Sequence, residues 1–219
     1  MTPAICAFSS KNMFIKKYLC REMLENLGFD RNRFLITQVS RFDRWKDPFG
    51  TIAAYQLAKK EIPGLQLAMI GSFAQDDPES WDMHAAISDE ANKDKSIFVF
   101  SNLTGVGNME VNAFQRASDV IVQKSIREGF GLVVAEALWK ETPVVAGKAG
   151  GIPLQMTGEL SDYLVDSVEE CAEKIVYLLE NPAISQQLGK AGKENVRQNF
   201  LFPRLLRDEL RLIKSLVGK

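Results

Sequence analysis

DVIVQKSIREGFGLVVAEALWKETPVVAG, residues 119–147, holds two short apolar runs, DVIVQ (119–123) and PVVAG (143–147), around the apolar segment GLVVAEALWK (131–140). Strand runs without polar alternation belong to parallel sheets whose two faces are both covered by helices. SIREGFG (125–131) is then a strand-to-helix turn at the carboxyl end of a sheet, where open α/β folds gather their ligands. Two carboxylates mark it. Glu128 precedes Gly129-Phe130-Gly131, and Glu136 stands alone among Leu132, Val133, Val134, Ala135, Ala137, Leu138 and Trp139.

The same pattern extends outward. LITQVS (35–40), LQLAMIG (65–71), SIFVFS (96–101) and the short DYLV (162–165) read as further strands, with GTIAAYQLAKKE (50–61), PESWDMHAAISDEANK (78–93) and MEVNAFQRA (109–117) as helices between them. The expected fold is α/β, a doubly wound, Rossmann-like parallel sheet. Residues 1–33 form a helical lead-in, with a cap at Ser9 or Ser10, an apolar face through Phe14, Ile15, Tyr18, Leu19, Met23 and Leu27, and Gly28 as a stop. Residues 34–199 form the main domain, ending in helices at SVEECAEKIVYLLENP and AISQQLGKAGKENVRQN. Residues 200–219 form a last helix whose stripe of Leu205 or Leu206, Leu210, Ile213 and Leu216 or Val217 needs a partner surface, with self-association expected where none is supplied.

Composition narrows the function classes. A chain of 219 residues that is 46% hydrophobic can bury a large core, and a formal charge of -1 offers no basic surplus for nucleic acid or anionic membrane. Cys6, Cys20 and Cys171 are odd in number and lack C-x-x-C spacing, which fits a reducing, cytoplasmic setting better than a disulfide or zinc framework. No leader is expected from MTPAICAFSSKN, and no run approaches the ~20 apolar residues of a membrane span.

The turn suits an anionic ligand. Gly129 and Gly131 allow positive φ and close approach to the backbone, and a helix start presents unpaired N–H groups. Glu136 lies ~7.5 Å along the helix from Gly131 at ~1.5 Å per residue. Buried, it needs hydrogen bonds, and two adjacent ribose hydroxyls would match its two oxygens; the alternatives are an exposed helix flank or a pair with a neighbouring Lys or Arg. Glu128 is either an ordinary surface charge beside Arg127 or a holder of hydroxyls on a group attached to the phosphate. VSRFDRWKDP (39–48) adds cations at the end of the first strand: Arg41 can hold phosphate bidentately and Lys46 is a mobile point charge, while Arg44 and Trp45 shape the loop.

These elements carry a resemblance. REGFGLVVAEA, with seven residues between Glu128 and Glu136, resembles the E-x7-E element of retaining GT-B glycosyltransferases; SRFDRWK resembles their Arg/Lys diphosphate clamp and AGKAGGIP their Gly-Gly loop. Within that family, VSRFDRWKDP, GSFAQDDPESW, SNLTGVGNMEVNAFQRASDVIVQKSIREGFGL and AGGIPLQM are most similar to the nucleotide-sugar-dependent trehalose synthases, over residues 33–217. The resemblance implies the C-terminal, donor-binding half of a GT-B fold and a donor such as UDP-glucose or ADP-glucose, with glucose as acceptor and no metal or other cofactor. It assigns Arg41 and Lys46 to the diphosphate, Glu136 to the ribose and Glu128 to the donor sugar. Gly129, Phe130, Gly131 and Leu132 would contribute backbone groups to sugar and diphosphate, and the SNLTG loop around Leu103 would meet the base. Catalysis would rest on Glu128, Arg41 and Lys46.

The resemblance is incomplete in two respects. The family's acceptor domain, with its histidine near the reacting sugar, has no counterpart, since His84 falls in a helix at an expected exposed position. The acidic-Gly turn DGxTGFLV is replaced by TGELSDYLV (157–165). Rival chemistries fare worse. A dinucleotide fingerprint would need Gly at position 134, which is Val134, and no P-loop occurs. A glycosidase pair needs carboxyls ~5 Å apart, and a triad or zinc site has one histidine to work with. A non-catalytic nucleotide-sugar-binding module and the sister glycogen, sucrose and mannosyl transferases remain open alternatives.

Overall fold

The computed structural model describes residues 1–73 and 78–217; part of GSFAQDDPESW and the final Gly218-Lys219 lie outside the described residues. Strands β1 (Leu35–Arg41), β2 (Gln66–Ser72), β3 (Ile97–Ser101), β4 (Val120–Gln123), β5 (Val144–Gly147) and β6 (Leu164–Val165) form one parallel sheet in the order β3-β2-β1-β4-β5-β6. Each strand falls within a residue or two of its expected place. The exception is β6, whose expected first half is taken by a two-turn 3-10 helix over Gly158–Tyr163.

The unbroken apolar runs have a direct cause. Successive residues of a strand point to opposite faces, and both faces are buried here. Ile36, Leu67 and Met69 enter one core cluster; Leu35, Val39, Ala68 and Ile70 enter another. The second cluster lies under α1 (Lys17–Glu25) and α4 (Asn108–Ala117), which pack together through Cys20, Leu24, Val111 and Phe114. On the first, α2 (Pro48–Glu61) packs against α7 (Val168–Glu180). The remaining helices are α3 (Pro78–Ala91), α5 (Leu132–Trp139), α6 (Ile152–Gln155), α8 (Pro182–Asn199) and α9 (Phe202–Val217).

Two expectations at the ends of the chain need correction. The lead-in helix starts at Lys17, not after a Ser9 or Ser10 cap; Ser9 Oγ instead donates to Cys6 O at 3.0 Å within a turn. The reason is tertiary: side chains of α4 hold the preceding backbone outside a helix, with Asn112 Nδ2 donating to Ser10 O and Met13 O and Arg116 Nη2 to Asn12 O and Met13 O. Gly28, at φ 97°, follows the helix as expected. At the other end α9 touches the body mainly through Arg204, whose Nη2 donates to Thr2 O and Pro3 O. Leu206, Leu210, Ile213, Leu216 and Val217 are exposed along the rest of it.

Helix α8 approaches α5 and the turn after it so closely that side chains are excluded. A Cβ on Gly189 would lie 2.1 Å from Glu141 O, and one on Gly192 would lie 2.6 Å from a Leu138 methyl. Gly189→Ala should therefore lower stability by ~1–3 kcal/mol through overpacking, outweighing the gain in helix propensity. Chemical denaturation measures this, and an equal or higher midpoint would show that α8 can move away without cost.

Candidate functional site

Strands β1 and β4 are neighbours, yet the chain leaves them in opposite directions, β1 toward β2 and β4 toward β5. Their exit loops diverge and leave a crevice at the topological switch point. One wall is residues 43–47. Asp43 Oδ1 accepts from Trp45 N at 2.8 Å and starts a single helical turn over Arg44–Lys46, and Gln38 Nε2 donates to Lys46 O at 2.7 Å. The other wall is residues 124–131, joined to the first where Ile126 N and Arg127 N both donate to Trp45 O, at 2.9 and 3.2 Å. The guanidinium groups of Arg44 and Arg127 lie 4.8 and 4.6 Å from the Trp45 ring. Lys124 pairs at 2.5 Å with Asp47, which sits at φ 49° and caps α2.

The central contact across the crevice is Lys46 Nζ to Glu128 Oε2, 2.7 Å, between largely buried side chains. Ser125 Oγ donates to the same oxygen at 3.3 Å and itself accepts from Gln123 Nε2 at 3.0 Å, while Gly129 N donates to Glu128 Oε1. The fold thus brings together the expected clamp lysine and the expected sugar-facing acid. Arg41, the last residue of β1, is exposed and pairs with Asp43 at 3.2 Å, at the mouth of the same crevice.

The glycine turn is held by its neighbours. Gly131, at φ 82°, precedes α5, and Gly150, at φ 51°, packs so tightly that a Cβ would lie 1.7 Å from Glu128 O. Gly151 N donates to Gly129 O, and Gln155 Nε2 to Phe130 O and Gly131 O. Phe130 is fixed against Phe200, with ring centres 5.6 Å apart, and Leu132 begins α5 at the surface. Leu103 stands exposed in a capped turn over Asn102–Thr104, following β3.

Glu136 is 6% exposed. Its partner is Lys11, whose Nζ lies 3.0 Å from Oε2 in an ion pair; the geometry supplies no directed hydrogen bond, so Oε2 is left as a buried acceptor. One turn on, Lys140 Nζ donates to Glu136 O at 3.0 Å and to Asn12 Oδ1 at 2.8 Å. Burial pushes the Lys140 ammonium down to about 7 against the opposing pull of Glu136. No motif in the sequence singles out Lys140, Asn12, Ser125 or Gln38. A second charge four residues after Glu136 in the same apolar run was the available signal. His84 is not exposed as expected. It lies half-buried, edge-on to Phe42 and Phe73 at 4.8 and 5.0 Å, and burial lowers its pKa. Both rings close over the ends of β1 and β2, and this decides the helix face that His84 occupies. Among the described residues no group of three His, Cys, Asp or Glu could hold a metal ion.

Residues 21–195 match the family of glycosyl transferases group 1. The chain belongs to that family. Curated relatives within it include the trehalose synthases of Rubrobacter xylanophilus, 50% identical over 99% of this chain and 52% of that protein, and Pyrococcus furiosus, 46% identical over 98% and 52%. The chain thus spans about half the length of these relatives. In fold this group 1 transferase chain is similar to sucrose-phosphate synthase from Thermosynechococcus elongatus (TM-score 0.78, 24% identity, 97% of this chain and 52% of that one). It is also similar to the C-terminal domain of a group 1 protein from Francisella tularensis (TM-score 0.69, 22% identity, 86% of this chain and 100% of that one). The Rossmann-like sheet is that of the C-terminal half of GT-B glycosyltransferases, as the E-x7-E element and the clamp motif implied.

Lys140 gives this transferase domain a definite pH signature. Its folded pKa of about 7 lies below the ordinary lysine value of 10.5, so the folded state binds fewer protons and stability rises with pH between those values. Denaturation at pH 6.5 and 9.5 should show wild type gaining stability relative to Lys140→Met. Parallel behaviour of the two proteins would show that the ammonium is not desolvated.

Proposed function

We propose that this chain is the donor-binding half of a retaining, nucleotide-sugar-dependent glucosyltransferase that joins glucose to glucose as a trehalose synthase. The observation that carries the reading is the Lys46–Glu128 contact at the switch-point crevice, beside a glycine turn that opens a helix. Identity of 50% to a trehalose synthase along nearly the whole chain supports the choice of product. A nucleoside diphosphate laid across the crevice meets Lys46 and the exposed Arg41 on one side and the start of α5 on the other. Its ribose hydroxyls go to Glu136 and its base toward Leu103. The donor sugar takes Glu128, with the backbone of Gly129, Phe130, Gly131 and Leu132 around it. Cleavage of the anomeric C–O bond places negative charge on the departing diphosphate. Lys46 and Arg41 stabilise that charge in a fixed geometry, with no metal invoked.

Lys46 is already bound to Glu128, so a donor must share or exchange that contact. Sugar hydroxyls on Glu128 and phosphate oxygens on Lys46 would satisfy both partners, which couples sugar recognition to diphosphate binding. The acceptor site belongs to a further domain that covers the exposed stripe of α9. Binding without turnover by this chain alone is the expected result, as for a nucleotide-sugar-binding module. The unbridged Cys6, Cys20 and Cys171 support a cytoplasmic setting.

Calorimetry with UDP-glucose and ADP-glucose tests the donor site. Wild type should bind at least one, and Lys46→Ala should weaken that binding by ~10–100-fold, the loss of one or two charge-assisted hydrogen bonds. Unchanged affinity would remove the clamp. With its α9 stripe uncovered, the chain should also self-associate as concentration rises; sedimentation showing a monomer throughout would count against the stripe as an interface.

A further inference from the structure

The N-terminal segment 5–14 crosses the domain as a strap, and its polar anchors converge on the helix that carries Glu136. At one end Ile5 pairs with the chain entering α9: Ile5 N donates to Phe200 O at 2.8 Å and Phe202 N to Ile5 O at 3.3 Å. At the other end Asn112 and Arg116 hold the carbonyls of Ser10, Asn12 and Met13. Between these anchors Asn12, itself 3% exposed, receives the Lys140 ammonium on its side-chain oxygen and donates from Nδ2 to Cys6 O at 3.1 Å. Lys11, its neighbour, is thereby set on the Glu136 carboxylate at 3.0 Å. Lys140 also holds the Glu136 carbonyl, so a single buried ammonium ties the acid's own backbone to the strap that delivers the acid's counter-ion.

We infer that Lys140 and Asn12 are positioning residues for Glu136, acting through Lys11: the strap fixes the rotamer of the buried carboxylate and leaves its oxygens aimed for two hydroxyls of a bound nucleotide. This rests on the proposed role of Glu136 in gripping ribose. The physical need is plain. A carboxylate buried in an apolar helix pays a desolvation cost unless a counter-charge is present, and a flexible surface lysine would satisfy it in many geometries. Anchoring the adjacent Asn12 restricts Lys11 to one of them. The arrangement follows the general rule that a binding group is only as well placed as the residues that support it. The ion pair lacks a directed hydrogen bond, so a ribose hydroxyl that reached the buried Oε2 would share it with Lys11.

The charged groups facing Lys140 are Glu136 on its own helix, Arg116 of α4 and Lys11 of the strap. Lys17, Asp119, Glu141 and Lys193 border the cleft beside it. Loss of the Lys140 proton weakens its bond to Asn12, so nucleotide affinity should fall as pH rises through about 7.

Calorimetric titration with UDP and ADP, taking whichever binds wild type, on wild type, Lys140→Met, Glu136→Ala and the double variant tests the inference. Lys140→Met should weaken binding by ~10-fold or more, since its charge-assisted hydrogen bonds to Asn12 and to the Glu136 carbonyl are both lost, and should flatten the dependence on pH near 7. In the Glu136→Ala background the same substitution should change nothing, because the group being positioned is gone. Lys140→Met weakening binding equally in both backgrounds would mean that it acts on the fold at large, and would overturn the inference. So would full affinity in Lys140→Met alongside a loss in Glu136→Ala, an outcome that leaves the ribose role intact. No loss in Glu136→Ala would remove the ribose role itself and the inference with it. Should Lys140→Met fail to fold, as judged by its melting transition, Asn12→Leu breaks the same relay one step nearer Lys11 and carries the same expectations.

Discussion

Parallel strands β1 and β4 lie side by side although their crossovers run apart, and the main chain beyond them must be held together by something other than the sheet. The structure does this with Trp45 O, which accepts two N–H donors from the opposite loop, and with the Lys46–Glu128 ion pair beside it. Both contacts are at the mouth of the sheet, where backbone groups would otherwise face a cleft. The shape of the crevice depends on this junction, and so does the spacing between the cations of one loop and the glycine turn of the other. The residues that shape the crevice are also the residues proposed to bind in it.

Buried polarity around the junction is chained. Gln38 fixes the carbonyl of Lys46, Gln123 fixes Ser125, and Ser125 and Lys46 both meet Glu128. Such networks rigidify a site when their members are satisfied and cost stability where they are not. The amide oxygens of Gln38 and Gln123 have no protein partner, which places unsatisfied acceptors at the base of the crevice, within the domain. Rigidity comes from the loops being tied to each other, and not from either loop alone. Gly150 adds to this, since only a residue without Cβ lets the second glycine loop press on the backbone of Glu128.

The chain belongs to the group 1 glycosyl transferases, and the trehalose synthases that it resembles are about twice its length. The amphipathic helix α9, anchored near its start and exposing leucines that have no partner within the described residues, fits that relation. The strap over α5 lies close to where α9 begins.

The order of strands and helices was legible from residue pattern, because a sheet covered on both faces leaves unbroken apolar runs and glycines punctuate its turns. Glu128, Lys46 and the glycine turn were legible as a group, since motif spacing fixes them to the ends of particular strands. For Glu136 the residue pattern left burial, an exposed flank and a pair with a nearby cation all open, and packing decided for burial with an ion pair. Its partner was not legible, because Lys11 is 125 positions away and reaches it only after α4 has pulled the lead-in segment out of a helix. His84 was misplaced for a related reason: periodicity says which residues share a helix face, but not that Phe42 and Phe73 lie over that face. Local spacing alone determines which residues meet at the strand ends, because there spacing is the geometry; the pairing of distant charges waited on the packing of helices, which no local pattern encodes.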